Sequence, residues 1–242
     1  MIKKIEENCR KLKLGRTLAD NIKKIELTDK YEFILKLFEM EVEHRDIQRR
    51  TRNISSAGFY AMKTLADYSF ADITLPDKIN IVDLKSAEFI KNKENLIMYG
   101  NPGTGKTHLA TALGIEACGM DFKTGFFRTA SLVNKLTEAK KANELGRLYN
   151  KLSKLNLLIL DEWGYVPLDK EGSQLLFQII SDCYETRSVI ITTNLEFSKW
   201  INIFYDKEMT AAMIDRLIHH SHLLLFEGES YRVKNSLIRK AS

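Results

Sequence analysis

The chain has 242 residues, a net charge of +5 and hydrophobic side chains at 44% of its positions. This length accommodates one large domain with a small appendage, whereas two full domains would be crowded. No apolar run is long enough to span a bilayer, and the start (MIKKIEENCR) lacks the hydrophobic stretch of a secretion signal, so we expect a cytoplasmic protein. The three cysteines, Cys9, Cys118 and Cys183, are widely separated, which favours reduced thiols over a disulfide framework or a zinc site.

Residues 1–60 are charged and helical in pattern, without strand candidates, which predicts a small helical domain. Within them, the segment Asp29 to Val42 has the apolar spacing of an amphipathic helix. Residues 61–94 contain turn-forming residues and predict a connector followed by a helix. Over residues 95–242, strand and helix patterns alternate, which is typical of a three-layer α/β sandwich.

A glycine-rich stretch, GNPGTGKT, follows the predicted strand Asn95 to Tyr99 and precedes a helical pattern over His108 to Ala117. It matches G-x-x-x-x-G-K-[ST], the loop whose backbone N–H groups surround the phosphates of a nucleotide. In such a loop Lys106 places a positive charge on the β- and γ-phosphates, and the Thr107 hydroxyl is positioned to bind Mg²⁺. A glycine turn that matches by chance is the alternative, and the flanking strand and helix disfavour it. The predicted nucleotide-binding residues are Gly100, Asn101, Pro102, Gly103, Thr104, Gly105, Lys106, Thr107 and His108.

A second strand is predicted at Lys123 to Arg128, and a third at Leu157 to Leu160 (LLIL), an apolar run too short for a helix. Asp161 and Glu162 follow the third strand directly. At its carboxyl end Asp161 would hold Mg²⁺, directly or through water, and Glu162 would orient and deprotonate the water that attacks the γ-phosphate. Without the phosphate loop upstream, an acidic turn after a core strand would be the better interpretation. With the loop, the pair favours hydrolysis over simple binding.

The run Ser188 to Thr193 is β-branched and predicts a fourth strand, reached through a crossover helix over Ser173 to Tyr184. Asn194 follows this strand, where its amide could hydrogen-bond the attacking water or the γ-phosphate, although asparagine at a strand end is more often a turn former. The order of the motifs places the phosphate loop, the acidic pair and Asn194 on one edge of a parallel sheet. That position favours a functional asparagine.

The helical pattern from Thr210 to His220 precedes a fifth predicted strand, His222 to Phe226, and carries Arg216 on its polar side. Two interpretations of Arg216 are open: it reaches the nucleotide site of a neighbouring subunit, or it pairs with Asp215 or another acid. The histidines at 219, 220 and 222 are not predicted to bind a metal, because their spacing straddles a helix end and a strand and no carboxylate or thiol cluster accompanies them.

Basic residues form three groups along the chain. Each group taken alone is typical of a solvated surface, because charged residues cover most proteins. Together, beside a nucleotide site, they suggest a partner with a phosphate backbone, bound with weak sequence specificity and strong salt dependence. The first group is Arg45, Arg49, Arg50 and Arg52, the second is Lys135, Lys140, Lys141, Arg147, Lys151 and Lys154, and the third is Arg232, Lys234, Arg239 and Lys240.

Several segments together resemble the IstB/DnaC-like branch of the AAA+ ATPases, and most closely the IstB proteins, the ATP-binding helpers of bacterial insertion sequences. The resemblance is carried by GNPGTGKTH, LLILDEWGYVPLD, LLFQIISDCYETRSVIITTNLEFSKW, AAMIDRLIHHSH and EGESYR. The segment RRTRNISSAGFYAMKTLADYSF is similar to the part of these proteins that links a small helical domain to the ATPase core. Nearly the whole chain is covered.

The resemblance implies an ATPase that uses ATP and Mg²⁺, assembles as a homo-oligomer on duplex DNA and shares active sites between neighbouring subunits. It further implies help in target selection and stimulation of a separate transposase. By motif, Asn194 corresponds to the sensor at the strand end, Arg216 becomes the preferred arginine finger, and Arg232 is a weaker candidate for a nucleotide-sensing arginine. Because the chain ends soon after Arg232, we expect the separate helical lid of many AAA+ proteins to be reduced or absent.

Two other functions stay open at this point. A replicative helicase loader of the DnaC or DnaI type has nearly the same core but grips a helicase and single-stranded DNA. A nucleotide-binding scaffold with slow turnover is the third possibility, which Glu162 and Arg216 disfavour. The N-terminal region has a basic helix and no cysteine and histidine ligand set, which fits a DNA or transposase contact better than the zinc-containing domain of some loaders.

Overall fold

The computed structural model describes residues 2–15, 18–22, 24–26, 29–66, 68–204 and 206–234. The chain divides into two compact units, Met1–Arg52 and Asn53–Ser242. The boundaries predicted at residues 60 and 94 stay predictions. Among the described residues, no helix combines the length and the apolar character that crossing a bilayer requires.

The N-terminal part of the chain forms the helices α1 (Ile2–Lys11), α2 (Leu18–Ile22) and α3 (Lys30–Ala57). The start of α3 is capped, since the Asp29 carboxylate accepts hydrogen bonds from the N–H groups of the first helical turn. The sequence predicted this helix from the amphipathic pattern over Asp29 to Val42, closed by Arg45, Arg49 and Arg52 at helical intervals. It continues to Ala57 because no proline or glycine interrupts it before Gly58, whose φ of +84° ends the helix in the usual left-handed conformation.

The larger unit is built around a six-stranded sheet with the order β1-β6-β2-β5-β4-β3. The strands are β1 (Ile73–Thr74), β2 (Asn95–Gly100), β3 (Thr124–Arg128), β4 (Leu157–Trp163), β5 (Ser188–Thr193) and β6 (Ser221–Phe226). The strands β2 to β6 are parallel, which confirms the predicted five-stranded parallel sheet. The sequence did not predict β1, a two-residue edge strand that pairs antiparallel with β6 and lies in the expected connector.

Helices cover both faces of this sheet. The shorter ones are α4 (Ile81–Lys85), α5 (Glu88–Lys91), α8 (Leu145–Leu152), a 3-10 helix (Phe197–Asn202) and α11 (Tyr231–Lys234). The longer ones are α6 (Lys106–Gly119), α7 (Thr129–Lys141), α9 (Lys170–Cys183) and α10 (Lys207–His219). The sequence did not predict α7 and α8; its signal there was the second group of basic residues.

Side chains of the central strands alternate between two apolar layers, as the period of a strand requires. In β4, Leu157 and Ile159 belong to the layer that includes α6, while Leu158 and Leu160 belong to the layer of α7, α9 and α10. All four are at most 2% exposed. At roughly 1.5–3 kcal/mol for each fully buried aliphatic side chain, this burial stabilises the strand whose carboxyl end carries the acidic pair.

The strand β4 extends past its predicted end at Leu160 to include both acidic residues. Trp163, fully buried against Trp200 with ring centroids 5.1 Å apart, extends the apolar pattern and pairs with Thr193 of β5. Pairing shifts between Leu160 and Trp163, so the acidic pair occupies a bulge. The acids therefore lie within an irregular strand end, and the prediction that they follow a finished strand was wrong.

Candidate nucleotide-binding site

The glycine-rich loop joins the end of β2 to the first residue of α6, as its motif predicted. Two of its glycines have φ values that other residues rarely adopt: +86° at Gly103 and +97° at Gly105. Both also face close neighbours, since a Cβ at Gly103 would collide with the Ser230 hydroxyl and one at Gly105 would lie 3.0 Å from the Tyr68 hydroxyl. Glycine is therefore required at both positions by the protein itself, before any phosphate is considered.

The Lys106 side chain lies folded within this loop. Its Nζ donates hydrogen bonds to the carbonyl oxygens of Gly100 and Asn101, each at 2.7 Å. Burial lowers the pKa of Lys106 to about 8, Asp161 opposes this effect, and Arg232 adds to it. The ammonium group is thus held in place, and neighbouring groups compensate its positive charge only in part. An anionic phosphate chain bound in the loop would neutralise this charge.

The loop and the acidic strand meet at Asp161, which is buried in the larger unit. Its Oδ1 accepts hydrogen bonds from the Thr107 hydroxyl at 2.8 Å and from the Thr192 hydroxyl at 2.5 Å. The Thr129 hydroxyl donates to the Asp161 carbonyl oxygen at 3.0 Å. The two predicted metal ligands, Thr107 and Asp161, are therefore in direct contact. A hydroxyl and a carboxylate side by side are hard oxygen donors, which fits Mg²⁺.

Glu162, next in sequence, is held in a different environment. Its backbone is left-handed at φ +58°, an uncommon conformation for a residue with a side chain, and its N–H donates to the Thr192 hydroxyl at 3.1 Å. Its carboxylate lies 3.4 Å from Arg128 and is 43% exposed, in contrast to the buried Asp161. The bulge thus separates two adjacent acids, leaving Glu162 at a solvent-accessible position beside the site.

The sequence did not predict two residues of this arrangement. Thr192 contacts Asp161 and the Glu162 backbone together, and Arg128 pairs with Glu162 while lying over the Tyr60 ring at 4.7 Å. Their only sequence signal is position, since each lies at or next to the carboxyl end of a predicted strand. Asn194, the residue expected there, directly follows β5 and is half-buried.

Two segments distant in sequence close over the phosphate loop. On one side, the Tyr231 N–H donates to the Gly103 carbonyl at 3.0 Å, which brings the neighbouring Arg232 close enough to lower the pKa of Lys106. On the other side, the Tyr68 hydroxyl donates to the Gly105 carbonyl at 3.4 Å, and burial raises the pKa of Tyr68. The structure therefore brings Arg232 to the predicted site.

The remaining predicted loop residue, His108, faces the Tyr68 segment. Its Nε2 lies 3.2 Å from the Thr64 carbonyl oxygen, and its ring centroid is 5.0 Å from that of Tyr68. His108 thus connects α6 to the segment before the sheet. A direct phosphate contact by His108 stays a prediction.

Arg216 packs against its own chain. Its guanidinium donates to the Ser181 hydroxyl at 2.9 Å and lies 5.0 Å from the centre of the Phe177 ring, both on α9. These contacts involve a neutral hydroxyl and an aromatic ring, whereas the alternative to an arginine finger predicted a carboxylate partner. Neither contact cancels the charge of Arg216. Its role toward a neighbouring subunit stays a prediction.

The first predicted basic group is partly neutralised within the smaller unit. Arg45 donates to the buried carboxylate of Glu41 at 2.7 Å and to the Lys13 carbonyl at 2.8 Å, and Arg49 pairs with Asp46 at 2.9 Å. Arg50 is exposed. A cleft of about 640 Å³ lies here, lined by Lys13, Glu41, His44, Arg45, Arg49 and Arg52 among others. Arg45 is thus part of the internal packing of this unit as well as of its basic surface.

The second predicted basic group lies on α7 and α8 of the larger unit, except Lys154, which follows α8. Lys140 pairs with Glu171 at 2.7 Å, and the Lys135 ammonium lies 5.5 Å from the centre of the Phe127 ring. Lys141 is exposed at the end of α7. In the third group, Arg239 and Lys240 lie outside the described residues. Whether any of these groups binds DNA stays a prediction.

The parallel sheet, the phosphate loop and the adjoining acidic strand define a P-loop protein of the AAA+ fold. In agreement, the solved structure of the DnaC helicase loader matches with a TM-score of 0.52 at 22% sequence identity, covering 61% of this chain and 92% of that one. At this identity the likeness shows the fold alone.

Sequence comparison identifies the family within this class. Residues 17–239 match the family described as IstB-like ATP binding protein, and the chain belongs to that family. A protein described as the ATP-binding protein of insertion sequence IS232 of Bacillus thuringiensis subsp. berliner is 35% identical over 204 residues, 84% of this chain and 82% of that protein. Its counterpart from IS21 of Pseudomonas aeruginosa is 36% identical over 210 residues, 87% of this chain and 78% of that protein.

Proposed function

We propose that the protein is a Mg²⁺-dependent ATPase that assembles on duplex DNA and stimulates a partner transposase in the transposition of an insertion sequence. The observation that carries the ATPase proposal is the 2.8 Å contact between the Thr107 hydroxyl and the Asp161 carboxylate. It joins the phosphate loop to the acidic strand at the position where a nucleotide-bound metal ion would be held. The names of the insertion-sequence relatives support the transposition role.

Each residue of the site has a separate task in this proposal. Backbone N–H groups of the loop and the Lys106 ammonium bind the phosphates, and Lys106 exchanges its two carbonyl contacts for phosphate oxygens. Thr107 and Asp161 would hold a Mg²⁺ ion, directly or through water, and the ion would supply positive charge against the phosphates. Glu162 takes a proton from the attacking water, for which its exposed carboxylate beside the buried Asp161 is suited.

Completion of the site requires a neighbouring subunit. Arg216 carries a charge that its contacts with Ser181 and Phe177 do not cancel, and both contacts are weak enough to be exchanged on assembly. In a homo-oligomer this arginine would stabilise negative charge on the phosphoryl group of the adjacent nucleotide. Arg232, which lies near Lys106, and Asn194 are proposed to sense the bound nucleotide in the same subunit.

The proposal of a DNA partner rests on the positive charge of exposed basic residues. Exposed members of the first two basic groups supply contacts to the phosphate backbone, so binding is expected to be weakly sequence-specific and to weaken with salt. The helicase-loader function shares this fold, but the curated relatives at 35% and 36% identity are named for insertion sequences. Duplex DNA is therefore proposed as the substrate of assembly.

The test compares duplex and single-stranded oligonucleotides of equal length by fluorescence anisotropy and sedimentation, with ATP and Mg²⁺ or with neither. We expect ATP-dependent assembly on the duplex, lost in Lys106→Ala and retained in Lys91→Ala, a matched surface lysine paired with Glu88. The assembled protein should also stimulate strand transfer by the transposase encoded in the same element. Preference for the single strand would favour the loader function, and ATP-independent assembly would contradict the proposal.

A further inference from the structure

A cluster of two histidines and one glutamate lies at the end of the larger unit opposite the phosphate loop. Glu185 lies in the turn between α9 and β5, and His219 and His220 lie where α10 meets β6. Since β5 and β6 run parallel to β2, their amino ends lie at the opposite edge of the sheet from the loop that follows β2. The cluster is therefore separate from the candidate nucleotide site.

Local backbone conformation brings the three side chains together. Adjacent residues of a helix point in different directions, but His220 leaves α10 with φ −121° and ψ 39°, so the rings of His219 and His220 lie with centroids 4.2 Å apart. Glu185 is left-handed at φ +56°, and its Oε1 lies 3.4 Å from His220 Nε2. One donor atom from each of the three residues lies within 4.8 Å of the other two.

We propose that Glu185, His219 and His220 form a binding site for a transition-metal ion of the Zn²⁺ class. Two imidazoles and one carboxylate are a ligand set of Zn²⁺ and related ions, whereas Mg²⁺ and Ca²⁺ prefer oxygen donors alone. Zinc–ligand bonds are about 2.0–2.2 Å long, so the three donor atoms must move closer to one another by roughly 1 Å to share one ion. The side chains of Glu185 and His220 are 60% and 38% exposed, so this contraction needs only rotation of accessible side chains.

The surroundings of the cluster support a ligand role for His219. The Tyr184 hydroxyl lies 3.0 Å from His219 Nδ1. With Nε2 of His219 on the metal, Nδ1 carries the proton and donates to this hydroxyl, the kind of partner that orients a metal-bound imidazole. Tyr184 directly follows α9, so the same turn supplies both a ligand and a support.

The third histidine of the run, His222, belongs elsewhere. It lies on β6 and pairs with Glu94 at 3.0 Å. The linear pattern of three histidines disfavoured a metal because no carboxylate accompanied it, but folding brings Glu185 to His220 from 35 positions away in the chain. A bound ion would tie the end of α9 to the end of α10, the two helices between which Arg216 contacts Ser181.

The test titrates Co²⁺, whose visible absorption reports its ligands, into the untagged, chelator-treated protein without nucleotide. Excess Mg²⁺ is present to occupy sites made of oxygen donors, including Thr107 and Asp161. We expect one Co²⁺ per chain, displaced by Zn²⁺, and a rise in melting temperature with Zn²⁺. His219→Ala and His220→Ala should each weaken Co²⁺ binding by at least about tenfold. Removing a residue that only hydrogen-bonds to a metal ligand typically costs about that much affinity, so losing a ligand itself should cost at least as much.

His222→Gln is the matched control, since it removes a neighbouring imidazole and should leave Co²⁺ binding unchanged. Glu185→Gln changes an exposed side chain, so the fold should stay intact, as circular dichroism would verify, while metal binding should weaken as in the histidine variants. The proposal is overturned by an absence of binding at one ion per chain. Equal affinities in the wild type and these three ligand variants, or an equal loss in the His222 control, would also overturn it.

Discussion

The candidate nucleotide site and the arginine-rich stretch of α3 both contain charged residues that the sequence marks as functional, yet their charges are placed differently in the fold. At the nucleotide site, Lys106 and Asp161 are buried; Lys106 donates hydrogen bonds to backbone carbonyls, and Asp161 accepts them from hydroxyl groups. On α3, Arg45 and Arg49 pair with acids of their own helix. A charged residue within a motif that also fixes the backbone conformation, such as Lys106 in the glycine-rich loop, therefore lies where the sequence predicts it.

A charged side chain on a helix surface can pair with any of several residues within one helical turn. The spacing of the arginines alone does not show which residue each arginine pairs with. Arg45 and Arg50 illustrate the difference. Arg45 satisfies a buried carboxylate, while Arg50 is exposed. The predictions below use substitutions at both regions to test this contrast.

The largest effect is expected for Glu162→Gln. The substitution keeps the shape of the side chain but removes the base, so hydrolysis should fall by about 10²- to 10⁴-fold while ATP binding is retained. An ATP-bound oligomer should then accumulate on DNA. Phosphate release and sedimentation measure the two effects, with Glu138→Gln, an exposed acid of α7, as control. Normal turnover in Glu162→Gln would remove the role assigned to this carboxylate.

A smaller effect is expected for Thr192→Val. This change removes the hydroxyl that donates to Asp161 and accepts from the Glu162 N–H, while preserving the volume of the side chain. We expect hydrolysis to fall by roughly tenfold, since a positioning contact of about 1–1.5 kcal/mol is lost. Thr192→Ser should restore most of the activity because it restores the hydroxyl. A valine variant as active as the wild type, or more active than the serine variant, would contradict the role assigned to the hydroxyl.

How far the sequence could predict the site follows from these same residues. The phosphate loop, the contact of Thr107 with Asp161 and the five parallel strands follow from contiguous motifs. The contacts of Thr192, Arg128 and Tyr68 do not, because they depend on which strand and segment lie next to one another after folding. The bulge at Glu162 was missed for a related reason, since the burial of Trp163 that extends β4 is a property of the packed core.

The smallest effects are expected on α3, where the two arginines should behave differently. Arg50→Ala should weaken duplex binding and reduce the slope of log affinity against log salt by about 0.9, the value for one phosphate contact, without changing stability. Arg45→Ala should instead lower the free energy of unfolding by about 1 kcal/mol, because it leaves the buried Glu41 carboxylate with one donor fewer. Salt titrations and urea denaturation measure the two quantities. If the two variants changed the salt dependence and the free energy of unfolding equally, the difference assigned to Arg45 and Arg50 would be wrong.

The most direct test of the nucleotide site is the affinity of the purified protein for ATP, measured by calorimetry with and without Mg²⁺, in the wild type and in Asp161→Asn. We predict one ATP per chain, bound more tightly with Mg²⁺, and a marked loss of this Mg²⁺ dependence in the variant. Failure of the wild type to bind ATP in the presence of Mg²⁺, with or without DNA, would contradict the account.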